Sequence, residues 1–337
     1  MNLTSSRGVV TADLPGLPAD DGLRVFADVL SQLSTSIATD NSFTIDLLLS
    51  DDVDEDWRGL VDGFEPPSGG VLAQLPTPAH IAIRERGDVS AVRWRDGGVV
   101  HGTRGTDRVQ LIASRDATDL AWLLRYLMAT PLVLWGALDV AHGCLVEWQG
   151  HNLLIAGPSH SGKSSLSILF ALNGGVIRTE DVTYIDDAGR AAPVSTRTMM
   201  TMRQGTYDAF APRLRQVLGE AAVAALGATM PSGRFDLSPF MNDDCRTVRP
   251  IDAVVFPRIV PAASDVRTVP LTDATQVNAR CFERDFPSVV EWLGVYMSSD
   301  WAYASRGDVG HHAPAFDLEL PLSYPHRFQE IVASLGL

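Results

Sequence analysis

The residues Gly157-Pro158-Ser159-His160-Ser161-Gly162-Lys163-Ser164 follow the order glycine, four residues, glycine, lysine, serine. The apolar run Leu153-Leu154-Ile155-Ala156 precedes them and Ser165-Leu166-Ser167-Ile168-Leu169-Phe170 follows, which predicts a strand before the loop and a helix after it. In that setting the main-chain N–H groups of the loop and the helix N-terminus converge and form a positive cradle for phosphate oxygens. Lys163 suits the gap between β- and γ-phosphates, and the Ser164 hydroxyl suits magnesium. Gly157, Ser159, His160, Ser161, Gly162 and Ser165 complete the expected nucleotide-binding set, with ATP and Mg2+ as its ligands.

Composition sharpens that reading, because Lys163 is the only lysine in a chain with 27 lysines and arginines together. Arginine carries the same charge on a planar fork, whereas a compact ammonium fits between two phosphates. The one lysine kept in the chain is the one inside the loop.

Further along, Gly175-Val176-Ile177-Arg178-Thr179-Glu180-Asp181 places two acids at the carboxyl end of a predicted strand. Ligands of open α/β sheets bind at that end. Of Glu180 and Asp181, one carboxylate suits magnesium, directly or through water, and the other suits the proton of an attacking hydroxyl.

A formal charge of -14 repels phosphate backbones and anionic lipid, so neither nucleic acid nor a membrane is an expected partner. The three cysteines, Cys144, Cys245 and Cys281, are widely spaced, which suits a reducing cytoplasm better than a disulfide framework. Met1 to Asp20 lacks the order of a signal peptide, and the apolar stretch Ala121 to Val140 is interrupted by Arg125, Pro131 and Asp139. Cytoplasmic localisation is the expectation.

At 337 residues the chain is long enough for two domains. Helical spacing covers Gly22 to Ile37, a strand is expected at Phe43 to Leu49, and short β-type runs fill His80 to Ala113 as a small antiparallel sheet. A helix over Thr118 to Met128 then bridges the halves. The expected division is an α+β domain over 1–117, for acceptor recognition or oligomerisation, and an α/β P-loop catalytic domain over 118–337. In the latter, strands are expected at Ala141 to Glu147, His151 to Ala156 and Ala253 to Phe256, and helices at Lys163 to Leu172, Ala209 to Leu226, Pro287 to Met297 and Phe328 to Leu335.

Taken together, Ala141-His142-Gly143-Cys144-Leu145-Val146, the P-loop and Glu180-Asp181 resemble the catalytic domain of HPr kinase/phosphorylase. That family has a His-Gly strand, a P-loop at a similar interval and an Asp-Asp pair beyond the loop's helix. Val248-Arg249-Pro250 before Ala253 to Phe256 is similar to the family's arginine-containing turn. The resemblance covers roughly Leu127 to Phe256. It implies that Lys163 and Ser164 hold nucleotide phosphates and magnesium, that Glu180 activates the acceptor hydroxyl with Asp181 near the metal and His142 near that acid, and that Arg249 faces the transferring phosphate. His160 stands where the family prefers glycine, Glu180 replaces an aspartate, and the family's longer glycine-rich segment is missing. The similarity therefore points to the divergent members of the family, some of which resemble peptide-modifying kinases of natural-product pathways, rather than to HPr as substrate. Such kinases often form symmetric oligomers, so a homo-oligomer is compatible with the resemblance.

The expected activity is transfer of the γ-phosphate to a hydroxyl of a peptide, a protein or a small metabolite. The alternative is an ATP-driven switch or scaffold with water as sole acceptor. A guanine-reading Asn-Lys-x-Asp motif cannot occur with one lysine, and the same fact argues against a phosphoenolpyruvate carboxykinase. Arg197, Arg203, Arg246 and Arg258 are weaker candidates for the phosphate, with Arg203 in reserve behind Arg249. His311-His312 reads as a surface loop, and Trp122, Trp135, Leu123, Leu124 and Leu127 read as core.

Overall fold

The computed structural model describes residues 2–4, 10–13, 29, 32, 43–66, 81–94, 98–103, 106, 108–114, 124–125, 127–129, 132–133, 138–158, 160–180, 182–192, 199–201, 204–221, 223–224, 234–236, 238–241, 247–282 and 308–337. Contacts divide the chain into two compact units, Met1–Leu138 with Phe286–Ser305, and Asp139–Asp285 with Arg306–Leu337. The division falls at Leu138, later than the boundary expected near Ala117. Leu124 and Leu127 are fully buried in the first unit, as core residues should be. Trp122, Leu123 and Trp135 lie outside the described residues, as does the helix expected at Pro287 to Met297.

In the first unit, strands β4 (Ile81–Arg86), β5 (Val89–Trp94), β6 (Gly98–Thr103) and β7 (Arg108–Ser114) form the expected antiparallel meander. The sheet does not stop there, because β7 pairs in parallel with β3 (Phe43–Ser50) and β3 in parallel with β2 (Val10–Asp13), which pairs with β1 (Asn2–Thr4). Helix α1 (Val53–Leu60) begins at Asp52, whose carboxylate accepts from Glu55 N–H, and buries Trp57 against Ala91, Val99 and Ile112. Of the helix expected at Gly22 to Ile37, Val29 and Gln32 are described, and both are helical.

The second unit is built on a nine-stranded mixed sheet. At its centre β9 (His151–Ala156), β16 (Ala253–Ile259) and β18 (Ala315–Leu320) run parallel in the order β9, β16, β18. The other neighbour of β9 is antiparallel β8 (Asp139–Trp148), which on its far side faces β10 (Val176–Ile177) and β11 (Val182–Ile185). Beyond β11 lie β12 (Arg190–Ala191) and β15 (Arg249–Pro250); β17 (Arg267–Leu271) closes the opposite edge. A separate hairpin pairs β13 (Met199–Thr201) with β14 (Arg234–Asp236).

Two helical layers cover this sheet. On one face α2 (Lys163–Ala171) is buried almost all round, with Leu166, Ile168, Leu169 and Phe170 fully buried among Cys144, Val146, Leu153, Ile155 and Val255. Gly174 and Gly175 end it, their N–H groups reaching Ala171 O and Phe170 O. Helix α3 (Gln204–Leu218), which starts earlier than expected, and α5 (Phe328–Leu335) join the same layer, where Trp148, Phe170 and Phe328 meet edge to face. On the other face α4 (Ala274–Cys281) packs Val277 and Cys281 against Ala141, Leu145, Leu154 and Phe256. No helix among the described residues is long and apolar enough to cross a membrane.

Candidate nucleotide site

Strand β9 ends at Ala156 and the chain turns at once into the glycine loop. Gly157, His160 and Gly162 all have positive φ, of 131°, 70° and 109°. Gly162 is the left-handed N-cap of α2, and a Cβ there would come within 3.3 Å of the Ile259 side chain. His160 is therefore a non-glycine residue in a conformation glycine adopts most readily, which gives a physical reason for the glycine the resembled family prefers.

The Lys163 side chain folds back into the loop. Its ammonium donates to Gly157 O at 2.8 Å and to Pro158 O at 3.0 Å, and the residue is 7% exposed. A buried ammonium is costly unless it is hydrogen-bonded, so the loop's own carbonyls hold the cation at the point where phosphate charge is expected. Ser161 lies in the same turn, with its N–H 3.3 Å from Pro158 O. Its hydroxyl oxygen is buried and meets no hydrogen-bond partner among the described residues.

Ser164 is half-buried in the first turn of α2, next to the lysine. Ser165 points elsewhere: it is buried, and its oxygen lies 3.5 Å from Thr206 Oγ1. Burial pushes the Tyr324 phenol above its ordinary range, with the neighbouring Ser165 hydroxyl partly opposing the shift. The side chain expected to touch nucleotide thus packs inward, between α3 and the turn before α5. Ser159 lies outside the described residues.

The acid segment stands one strand beyond β8. Val146 faces Ile177 and His142 faces Val182, so between these two pairs the β10–β11 side carries one residue more than β8. That is a β-bulge, and Leu145 O carries its signature by accepting from both Arg178 N–H (2.8 Å) and Thr179 N–H (3.2 Å). Glu180, within the bulge, is 5% exposed, and its carbonyl accepts from Val182 N–H at 2.6 Å. The acid read as part of a strand end is thus buried inside an interrupted strand. Asp181 lies outside the described residues.

Gly143 connects the two flanks. It pairs with Ala156, the last residue before the loop, and a Cβ there would lie 2.8 Å from Ile155 O. Its neighbour His142 is half-buried and, by strand alternation, shares a face with Cys144 and hence with α2. With strands spaced about 4.8 Å apart, the bulge and the loop strand are separated by roughly 10 Å across β8. Arg178, buried in the bulge, is committed to Glu147 by bonds of 2.7 and 3.1 Å.

Arg249 lies on strand β15, which leads through Ile251 and Asp252 directly into β16, and Asp252 N–H donates to Asn152 O on the loop strand at 2.8 Å. Arg197, Arg203 and Arg246 lie outside the described residues, and Arg258 is paired with Glu319 on β18. Sequence reasoning missed the end of β16: Ile259 and Pro257 line the P-loop beside Gly162. It also missed the acid partner of His311, whose Nδ1 lies 2.5 Å from Asp308 Oδ1 on an exposed turn.

Among the described residues no three His, Cys, Asp or Glu side chains gather as a metal cage. Magnesium in a P-loop requires no such cage, because phosphate oxygens and water fill most of its octahedron around one or two protein oxygens. The hard oxygen of Ser164, in the first turn beside Lys163, fits that requirement. No protein-family model matches the chain, and no curated protein matches it.

Proposed function

We propose that this chain is an ATP- and magnesium-dependent kinase that moves the γ-phosphoryl group onto a hydroxyl of a peptide, a protein or a small metabolite. The observation that carries the reading is the loop itself. A lone lysine is bonded into a left-handed glycine turn, between the end of a central strand and the N-terminus of a buried helix. In this reading Lys163 and the N–H groups of the loop stabilise charge on the β- and γ-phosphates. Ser164 holds magnesium, with Asp181 as its expected second oxygen, and the ion neutralises phosphate charge when bound. Glu180 takes the proton of the acceptor hydroxyl, and His142 on β8 orients that acid.

Arg249, on β15 just before β16, is the arginine expected to face the transferring phosphate. The resemblance to HPr kinase/phosphorylase supports the same assignment through the His-Gly strand, the loop and the acid pair in order. Phosphoryl transfer depends mainly on positioning and electrostatics, which these groups supply.

The direct test offers γ-labelled ATP and magnesium with panels of hydroxyl peptides and small alcohols. Label recovered on an acceptor oxygen supports the kinase. Label recovered only as inorganic phosphate, across every acceptor, replaces it with an ATPase switch.

A further inference from the structure

Two threonines bracket Glu180, Thr179 within the bulge and Thr183 on β11 just past it, and each is fully buried. Buried hydroxyls require partners, and these form a chain. Leu145 N–H donates to Thr179 Oγ1 at 2.8 Å, the two threonine oxygens lie 2.5 Å apart, and Thr183 donates to Gly143 O at 2.9 Å. A hydroxyl has a single proton, and that of Thr183 is used on Gly143 O. The proton between the threonines therefore comes from Thr179. The bonds run one way, from Leu145 N–H through both hydroxyls to Gly143 O, and such chains strengthen by mutual polarisation.

The position of this chain is informative. In an antiparallel strand residues i and i+2 direct their main-chain groups to the same side, so Gly143 and Leu145 both face β11 rather than β9. The bulge removes the main-chain partners that a regular ladder would give Gly143 O and Leu145 N–H. The threonine hydroxyls replace them, one on either side of Glu180 in sequence.

We infer that Thr179 and Thr183 are positioning residues that fix Glu180 for proton abstraction; the inference rests on the reading of Glu180 as the base. They touch neither nucleotide nor acceptor. Their hydroxyls clamp the bulge at both ends, and the clamp fixes where the carboxylate points.

The test uses the full chain with Thr179→Val and Thr183→Val, which keep shape and remove the hydroxyl, and with the matching serine variants, which keep it. The readouts are Mg-ATP affinity, kcat for transfer, and the 13C resonance of the Glu180 carboxyl, assigned through Glu180→Gln. The valine variants are expected to hold Kd within about twofold, lose roughly 10- to 100-fold in kcat, and shift the carboxyl resonance. The serine variants should return both toward wild type. Valine variants with unchanged kcat and an unmoved resonance overturn the inference, and so does a Kd that weakens in step with kcat. Should Thr183→Val not fold, Thr179→Ala leaves Thr183 bonded to Gly143 and carries the same expectation. If Glu180→Gln transfers phosphate normally, the base assignment falls, yet the resonance still decides whether the threonines position that carboxylate.

Discussion

Strand β8 has two unlike flanks. Toward β9 the ladder is unbroken from Gly143 to Trp148, and it ends where the P-loop begins. Toward β10 and β11 the ladder slips by one residue, and the slip contains Glu180. The regular flank places a loop by strand length alone, with main-chain atoms as the binding groups. The bulged flank re-aims a single side chain, and the hydroxyl chain maintains the displacement. In the proposed kinase, nucleotide binding belongs to the first flank and proton removal to the second.

The largest expected effects separate these two roles. Lys163→Ala should abolish transfer and weaken Mg-ATP binding by more than about 100-fold, read by calorimetry and labelled-phosphate transfer. Retained ATP affinity in that variant would break the assignment of the loop flank. Glu180→Gln should leave Kd unchanged and lower kcat by roughly 10²- to 10⁴-fold. If affinity falls as well, the two flanks are not functionally separate.

Gly143→Ala tests the seam between them, because the added methyl would press on Ile155 O at 2.8 Å. We expect a loss of about 1–3 kcal/mol in chemical denaturation. A neutral effect would mean that the flanks are less rigidly joined than the close approach indicates.

Behind both flanks lies Cys281, in contact with the core that contains Leu145, Leu154 and Ala156. Burial pushes its thiol up from an ordinary value near 9 to about 12, with Arg280 opposing weakly. A folded pKa above the unfolded one leaves stability whole below about pH 9 and removes it as pH rises toward 12. The loss should approach about 1.4 kcal/mol per pH unit, and Cys281→Ala should flatten it. A pH-independent denaturation midpoint between pH 8 and 10.5 would contradict the burial.

The smallest effect belongs to His160. Replacing it with glycine relieves the positive φ at the expense of a more flexible unfolded chain and of the imidazole's own interactions, so a net change of no more than about 0.5 kcal/mol is expected. A larger loss would show that those interactions outweigh the backbone strain.

The two flanks also differed in how far the sequence revealed them. His151 to Ala156 and Phe328 to Leu335 were legible to the residue, and the glycine loop was legible as a motif, because apolar runs and glycine punctuation are local signals. The bulge was not, since its register depends on pairing with β8, and two-residue strands such as β12 and β15 exist only through their neighbours. Helices α1 and α4 were missed, although each begins at an aspartate, Asp52 or Asp273, that accepts main-chain N–H bonds. Thr179 and Thr183 gave no separate signal, because two threonines four apart are common in any β-rich segment.

One feature of the loop also makes the molecule unusually easy to interrogate. Apart from the amino terminus, the protein offers an acylating reagent a single primary amine, and that amine is engaged by two carbonyls inside the turn. The rate of modification at Lys163 is therefore a one-site clock for how often the turn opens. A compound that slows this clock stabilises the closed turn, whether or not an acceptor is known.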